Sequence, residues 1–374
     1  MDGRLRDGEV VVGGDARQRY YDSSGYGRPL DGNRIALSRV EAAYLLFRGD
    51  LDGVVRSATE SRTEVDDERM DFRAFLATAG DEIATRFLVY TDLRDRGFYL
   101  SPAREGWVSA PRSDSDFVVY PRGKGPWDGE VRYRIRVVGE REAVPAEDLG
   151  DVVLAVVDEE SEITYLETDR ADLRGTSGTD LPQGVSADLL ADRVLVWDAP
   201  ETLHHRGFYG QPLDGRDANR ETPGALQLSL VEAAYLAGEG VLELEFGDGT
   251  GESGRSIEAE TGGDAEAVGQ RGRAVEGERF DRRLRVYRAL RERGVVPKTG
   301  FKFGADFRTY ADVESVDDLG HSECLVRVLP ADHAFAPRDL ALDVRLAHGV
   351  RKRMVFALVD GDAISWLSVG RLTP

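Results

Sequence analysis

The sequence contains one cysteine, four lysines and no long apolar run. A lone Cys324 excludes an internal disulfide and any zinc site built from cysteine pairs. No stretch reaches the roughly eighteen apolar residues of a membrane span. The opening MDGRLRDGEVVVGG has no apolar segment of the kind that directs secretion, so a cytoplasmic protein without membrane contact is expected. No carboxylate pair accompanies the histidines at metal-ligand spacing, and no metal or other cofactor is expected.

The scarcity of lysine goes with an excess of acid. Asp and Glu number 69 against 49 for Lys and Arg, a formal charge of −20. Such self-repulsion is tolerable where salt screens it, since the Debye length falls to about 3 Å at molar salt. The composition therefore points to a halophile. An acidic surface argues against nucleic-acid binding in dilute salt, but counterion release yields little when salt is already concentrated, which weakens that argument. Three of the four lysines, Lys298, Lys302 and Lys352, fall in the C-terminal region that carries the motifs below.

Phrases recur in a fixed order. GRPLDGNR (27–34) returns as GQPLDGRD (210–217), and LSRVEAAYL (37–45) as LSLVEAAYL (228–236). YTDLRDRG (90–97) returns as YRALRERG (287–294), DFVVY (116–120) as DFRTY (306–310), and LAVVDEESEITYL (154–166) as FALVDGDAISWL (356–367). Five anchors in one order predict a tandem duplication. Within each copy, short β-rich runs and an amphipathic VEAAYL helix come first, followed by a long helical pattern ending at glycine and then strand-like runs. An α+β chain with mixed sheets is expected, each repeat holding a small N-terminal α/β subdomain and a C-terminal mixed-sheet subdomain. The boundaries read as 1–65 and 66–170 for the first repeat, a linker at 171–189, then 190–246 and 274–374 for the second. Residues 247–273, acidic and glycine-rich, read as an aperiodic insertion, and their GTGESG (249–254) lacks the helix and ribose partner of a dinucleotide site.

Three residues of the second copy carry possible chemistry. Tyr310 ends a strand, His321 opens the next after a polar loop, and Lys352 is expected late in a helix. Strand ends and a helix directed at one sheet edge can bring such residues together as base, acid and oxyanion stabiliser. Each also has an ordinary reading as packing, surface or solvated charge.

KTGFKFGADFRTY (298–310), HSECLVRV (321–328) and RLAHGVRKRMVFALVD (345–360) resemble the signature of archaeal tRNA-splicing endonucleases, and the duplicated layout is similar to that family's two-repeat members. The resemblance implies a nuclease-like C-terminal subdomain that cleaves precursor tRNA without metal at bulge-helix-bulge junctions, leaving a 2′,3′-cyclic phosphate and a 5′-hydroxyl. It implies Tyr310 as general base, His321 as general acid and Lys352 as stabiliser of the phosphorane. It also assigns Arg345 and Trp366 to a cation–π grip on a bulged base, and the acidic run Asp158, Glu159 and Glu160 to a loop that docks a second subunit, making a homodimer.

In the first copy Tyr120 stands opposite Tyr310, while Val131 and Gly150 stand opposite His321 and Lys352. That copy is expected to be silent and kept for assembly. Two readings from other classes remain: a metal-dependent nuclease of restriction type, for which no Asp with Glu-x-Lys is found, and a non-catalytic RNA-binding subunit.

Overall fold

Residues 1–56, 69–78, 80, 82–213, 224–245 and 263–374 are described in the computed structural model. They fall into two units, and the architecture is mixed α/β. The GTGESG stretch and residues 247–262 of the expected insertion lie outside the described residues.

The first unit comprises Met1–Asp169 with Ala334–Leu342 and Val369–Pro374. Strands β1 (Asp2–Arg6), β2 (Glu9–Val12), β3 (Ile35–Leu37) and β4 (Gly53–Arg56) form a small sheet in the order β3-β2-β1-β4, with a two-residue strand at each edge. Helix α1 (Arg39–Phe47) starts where SRVE makes a capping box, Ser38 accepting from Glu41 N–H while the Glu41 carboxylate accepts from Ser38 N–H. Helices α2 (Phe72–Thr78) and α3 (Ile83–Asp95) follow. A second run of strands is β5 (Leu100–Pro102), β6 (Phe117–Val119), β7 (Tyr133–Gly139), β8 (Val152–Val157) and β9 (Ile163–Arg170), side by side in that order. Only β7 and β8 pair in parallel, and their crossover holds no α-helix, only the two-residue strand Val144–Pro145 and a 3-10 turn, Ala146–Asp148.

The second unit comprises Arg170–His333 and Asp343–Ser368. Its small sheet uses β10 (Val185–Leu189), β11 (Arg193–Val196), β12 (Leu226–Ser229) and β13 (Leu242–Glu245) in the order β12-β11-β10-β13, with Gln211–Pro212 beside β12. Helix α4 (Glu201–His205) lies between β11 and β12. Helix α5 (Leu230–Gly238) repeats the capping box with Ser229 and Glu232. After α6 (Asp264–Glu276) and α7 (Glu278–Glu292) comes the larger sheet. Its strands are β14 (Val296–Thr299), β15 (Phe307–Tyr310), β16 (Cys324–Pro330), β17 (Arg353–Asp360) and β18 (Ala363–Leu372), in chain order. Strand β16 pairs in parallel with β17, and helix α8 (Pro337–Gly349) is the crossover between them.

The same side chains position the larger sheet in each unit. Tyr44, Tyr90 and Phe117 touch ring to ring from α1 through α3 to β6, at 5.4 and 5.8 Å between centroids. Tyr235, Tyr287 and Phe307 do so from α5 through α7 to β15, at 5.5 and 5.9 Å. An Asp fixes each strand start. Asp306 accepts the Val328 N–H at 2.8 Å and pairs with Arg279 and Arg283, and Asp116 accepts the Val137 N–H at 2.7 Å and pairs with Arg86.

Three expectations need correction. The long helix read into 70–97 is two helices, α2 and α3, broken near Gly80, whose φ of 91° ends a right-handed helix. Residues 264–273, assigned to an aperiodic insertion, are helical in α6, which lays Gly272 against Phe280. The linker 171–189 is not wholly a tether either. Its last residues form β10, and Gly175, Thr176 and Ser177 donate backbone hydrogen bonds to Arg293, Ala311 and Gly294. A Cβ on Gly175 would meet the Gly294 carbonyl oxygen at 2.3 Å, so only glycine fits that crossing.

Candidate active site

Strand register brings the expected residues to one sheet edge. Thr309 faces Cys324 across β15 and β16, and Cys324 faces Arg353 across β16 and β17. One step outward along each strand stand Tyr310, Glu323 and Lys352. Backbone bonds from Glu323 N–H to Thr309 O and from Arg353 N–H to Glu323 O, both 3.0 Å, hold this row together. Lys352 reaches back toward the segment bearing His321, its Nζ donating to the Ser322 carbonyl at 2.7 Å and standing 5.7 Å from the Phe303 ring.

Lys352 is not in a helix, contrary to expectation. Helix α8 ends at Gly349, and Arg351 adopts a left-handed φ of 57°, turning the chain so that Lys352 stands just before β17. The Lys352 N–H closes on the Ala347 carbonyl at 2.9 Å. His321 is exposed in the loop that precedes β16. That loop is pinned by Thr176 to Asp312 and His205 to Asp317, each 3.0 Å, and by Ser315 to Asp318 at 2.7 Å. His204 turns instead to the Tyr209 carbonyl, so the two adjacent histidines diverge, on helix α4 rather than on a strand. Tyr310 is 5% exposed, its ring against Val296 and Phe208.

Burial, reinforced by the positive charge of Arg308, holds the Lys352 ammonium below its ordinary pKa of 10.5. Arg308 is a residue that the sequence reading missed. Two positions before Tyr310, it shares that residue's face of the strand, with its guanidinium carbon 5.8 Å from the tyrosine ring. The signal was present, because the first copy reads DFVVY where the second reads DFRTY. Across the strand pair Arg308 faces Lys298, whose Nζ is occupied by the carbonyls of Phe208 (2.6 Å) and Gly210 (3.1 Å), with Glu232 at 3.8 Å.

Trp366 is 5% exposed within the unit's core, and Arg293 lies 5.3 Å over its face. Arg345 is exposed on α8. Asp158, Glu159 and Glu160 lie on the turn between β8 and β9. The Asp158 carboxylate accepts the N–H groups of Glu160 and Glu162, both at 2.9 Å, and Glu159 pairs with Arg141 at 2.9 Å. The acid run is therefore partly spent on shaping its own turn.

In the first unit Val119 faces Tyr133 as Thr309 faces Cys324, so Glu130 holds the position of His321, one residue from the expected Val131. Val153 faces Ile135 as Val355 faces Val326, leaving Gly150 at the position of Lys352. The Tyr120 hydroxyl donates to Ser101 at 3.0 Å.

Comparison with known proteins places the chain in a family. The tRNA intron endonuclease catalytic C-terminal domain matches residues 280–366, which include Tyr310, His321 and Lys352. The N-terminal domain of the same family matches twice, at 1–72 and 185–257. The chain is 61% identical to the tRNA-splicing endonuclease of Natronomonas pharaonis, 57% to that of Halobacterium salinarum and 56% to that of Haloferax volcanii. Each match covers 100% of both chains. On these grounds the chain belongs to the tRNA intron endonuclease family.

Proposed function

We propose that this protein excises introns from precursor tRNA by cutting both strands of a bulge-helix-bulge junction, with Tyr310, His321 and Lys352 as the reacting groups. The observation that carries the reading is the Lys352 ammonium, held 2.7 Å from the Ser322 carbonyl beside His321, on the sheet edge that Tyr310 ends. Tyr310, as general base, takes the proton of the 2′-hydroxyl. The O2′–P bond forms and the P–O5′ bond breaks. The departing electron pair stays on O5′, which receives a proton from His321. Lys352 moves no proton and offsets the extra negative charge of the phosphorane. A 2′,3′-cyclic phosphate and a 5′-hydroxyl result, with neither water nor a metal consumed.

The two units descend, in this reading, from a tandem duplication. The like order of elements and the double match to the N-terminal domain support it. The first unit, with Glu130 and Gly150 in place of acid and cation, is silent. Two chains associate so that two cutting units face a substrate with two cleavable points, and the turn at Asp158–Glu160 serves as the docking loop through Glu159 and Glu160. Arg345 contributes a cation toward the RNA.

The test is cleavage of a bulge-helix-bulge RNA at molar salt in EDTA. Products carrying cyclic phosphate and 5′-hydroxyl ends are expected from the native chain, with none from Lys352→Ala. Full activity in that variant, or activity abolished by EDTA, would sink the assignment.

A further inference from the structure

In a chain where acids outnumber bases 69 to 49, several arginines of the second unit are taken up by carboxylates. Arg279 and Arg283 pair with Asp306, Arg273 with Glu266 and Asp281, and Arg327 with Asp343. Arg308 is one of those that are not: among the described residues no carboxylate pairs with it, and its Nε is buried with no hydrogen-bond partner. A buried cationic nitrogen without a partner is costly, and such groups are normally paired or hydrogen-bonded. The Lys298 ammonium opposite it is already committed to two carbonyls and Glu232, so that neighbour neither neutralises Arg308 nor competes for an incoming anion. Arg308 lies two residues before Tyr310 on β15, Lys352 lies one strand beyond Glu323 in the row that Tyr310 ends, and the positive charge of Arg308 is felt at Lys352.

The first unit supplies the contrast. It keeps the scaffold aspartate, the aromatic contacts and the terminal tyrosine, but Val118 holds the strand position of Arg308, and Ser101 holds that of Lys298. The Tyr120 hydroxyl is there tied to Ser101. The arginine has gone together with the acid and the lysine, while residues that only support the strand remain.

We propose that Arg308 is a fourth group of the cleavage site, whose guanidinium holds a non-bridging oxygen of the scissile phosphate alongside Lys352. This rests on the reading of Tyr310, His321 and Lys352 as the cleaving groups. A guanidinium is planar, stays charged across the working pH range and presents paired N–H donors that match phosphate. The phosphorane carries one more negative charge than the diester, so a cation fixed in place favours it over the bound substrate. Arg308 transfers no proton, and the proton bookkeeping of Tyr310 and His321 is unchanged.

The experiment compares Arg308→Met, Arg308→Lys and Lys352→Ala with the native chain in single-turnover cleavage of bulge-helix-bulge RNA at molar salt. Each is also assayed on substrates with one non-bridging oxygen at the cleavage site replaced by sulfur. Arg308→Met is expected to slow cleavage roughly 100-fold, as losing one transition-state donor does. Its melting temperature should hardly move, because Nε gives up no intramolecular hydrogen bond. Arg308→Lys should recover part of the rate, and the penalty for one sulfur diastereomer should shrink in Arg308→Met. Native-like cleavage by Arg308→Met while Lys352→Ala is dead overturns the proposal and leaves the site assignment standing. Native-like cleavage by Lys352→Ala removes the assignment itself. If Arg308→Met folds poorly, Arg308→Lys decides: partial activity with a reduced sulfur penalty supports the contact, and an unaltered sulfur penalty overturns it.

Discussion

At the scale of single residues, the site sets the charges of Arg308 and Lys352 near the strand end that carries Tyr310, with Glu323 in register between Tyr310 and Lys352. Burial and Arg308 disfavour the Lys352 cation, so Lys352 loses its charge at a lower pH than an ordinary lysine, and any role that needs the ammonium fades as pH rises through that lowered value. With four lysines in the chain, this is directly measurable by carbon NMR of the lysine ε positions. Lys352 should titrate below Lys124, whose pKa is raised by Glu130 and Asp128, and should move upward in Arg308→Met. A Lys352 that titrates with Lys124 would contradict the described site. The candidate residues Tyr310, His321 and Lys352 could be named from the sequence because each sits inside a distinctive block. Arg308 could not, since an arginine two places from a tyrosine has no meaning until strand alternation puts both on one face. Trp366 shows the converse. Its position in the motif says nothing of its burial, which the packing of β18 decides.

At the scale of elements, the capped helices α1 and α5 show how one motif can serve two electrostatic ends. Glu41 and Glu232 both close a capping box and both accept a glycine N–H, from Gly27 at 2.7 Å and Gly210 at 3.1 Å. Burial lifts the Glu41 carboxyl above its usual range, despite the opposing N–H groups of Gly27 and Ser38. Burial acts on Glu232 too, but the charge of Lys298 and the Ser229 and Gly210 N–H groups outweigh it, and the carboxyl falls below 4.5. Stability from Glu232 is therefore full above pH 4.5 and lost as pH falls through the lowered value, whereas that from Glu41 is present at acid pH and lost as pH rises through the raised one. Glu232→Gln strands the Lys298 ammonium beside the active strand and should cost about 3 kcal/mol or more at neutral pH. Glu41→Gln should cost less, about 1–2 kcal/mol, as it leaves no buried ion unpaired. Denaturant melts check both, and the gap between Glu232→Gln and the native chain should close below pH 4.5. The strands, the two VEAAYL helices and α8 were readable from periodicity. The break between α2 and α3 and the extent of α6 were not, because glycine-rich, acidic composition resembles loop until packing, such as Gly272 on Phe280, selects a helix.

At the scale of the whole molecule, a formal charge of −20 sets the conditions under which any of this operates. The relatives come from halophilic archaea. Association through an acidic turn between two acid-rich chains requires screening, so sedimentation at about 3 M salt should give a dimer that dissociates or unfolds when salt drops to about 0.1 M and the Debye length lengthens to about 10 Å. Glu159→Lys with Glu160→Lys should favour the monomer at high salt while leaving the fold intact. A native chain that stays monomeric at every salt concentration would remove the docking role of the turn. The like order of elements in the two units was visible in the sequence as ordered phrases, but the lack of a helix between β7 and β8, where α8 lies between β16 and β17, was not, since an absent element leaves no phrase to align. Gly175 carries a consequence for how such a chain could ever be divided. Its crossing at Gly294 and the Thr176 bond to Ala311 make residues 171–177 a wall behind the tyrosine strand. A gene split into two separately encoded halves would keep a working cutter only if the break fell upstream of that wall, so that the supposed spacer travels with the half that cuts.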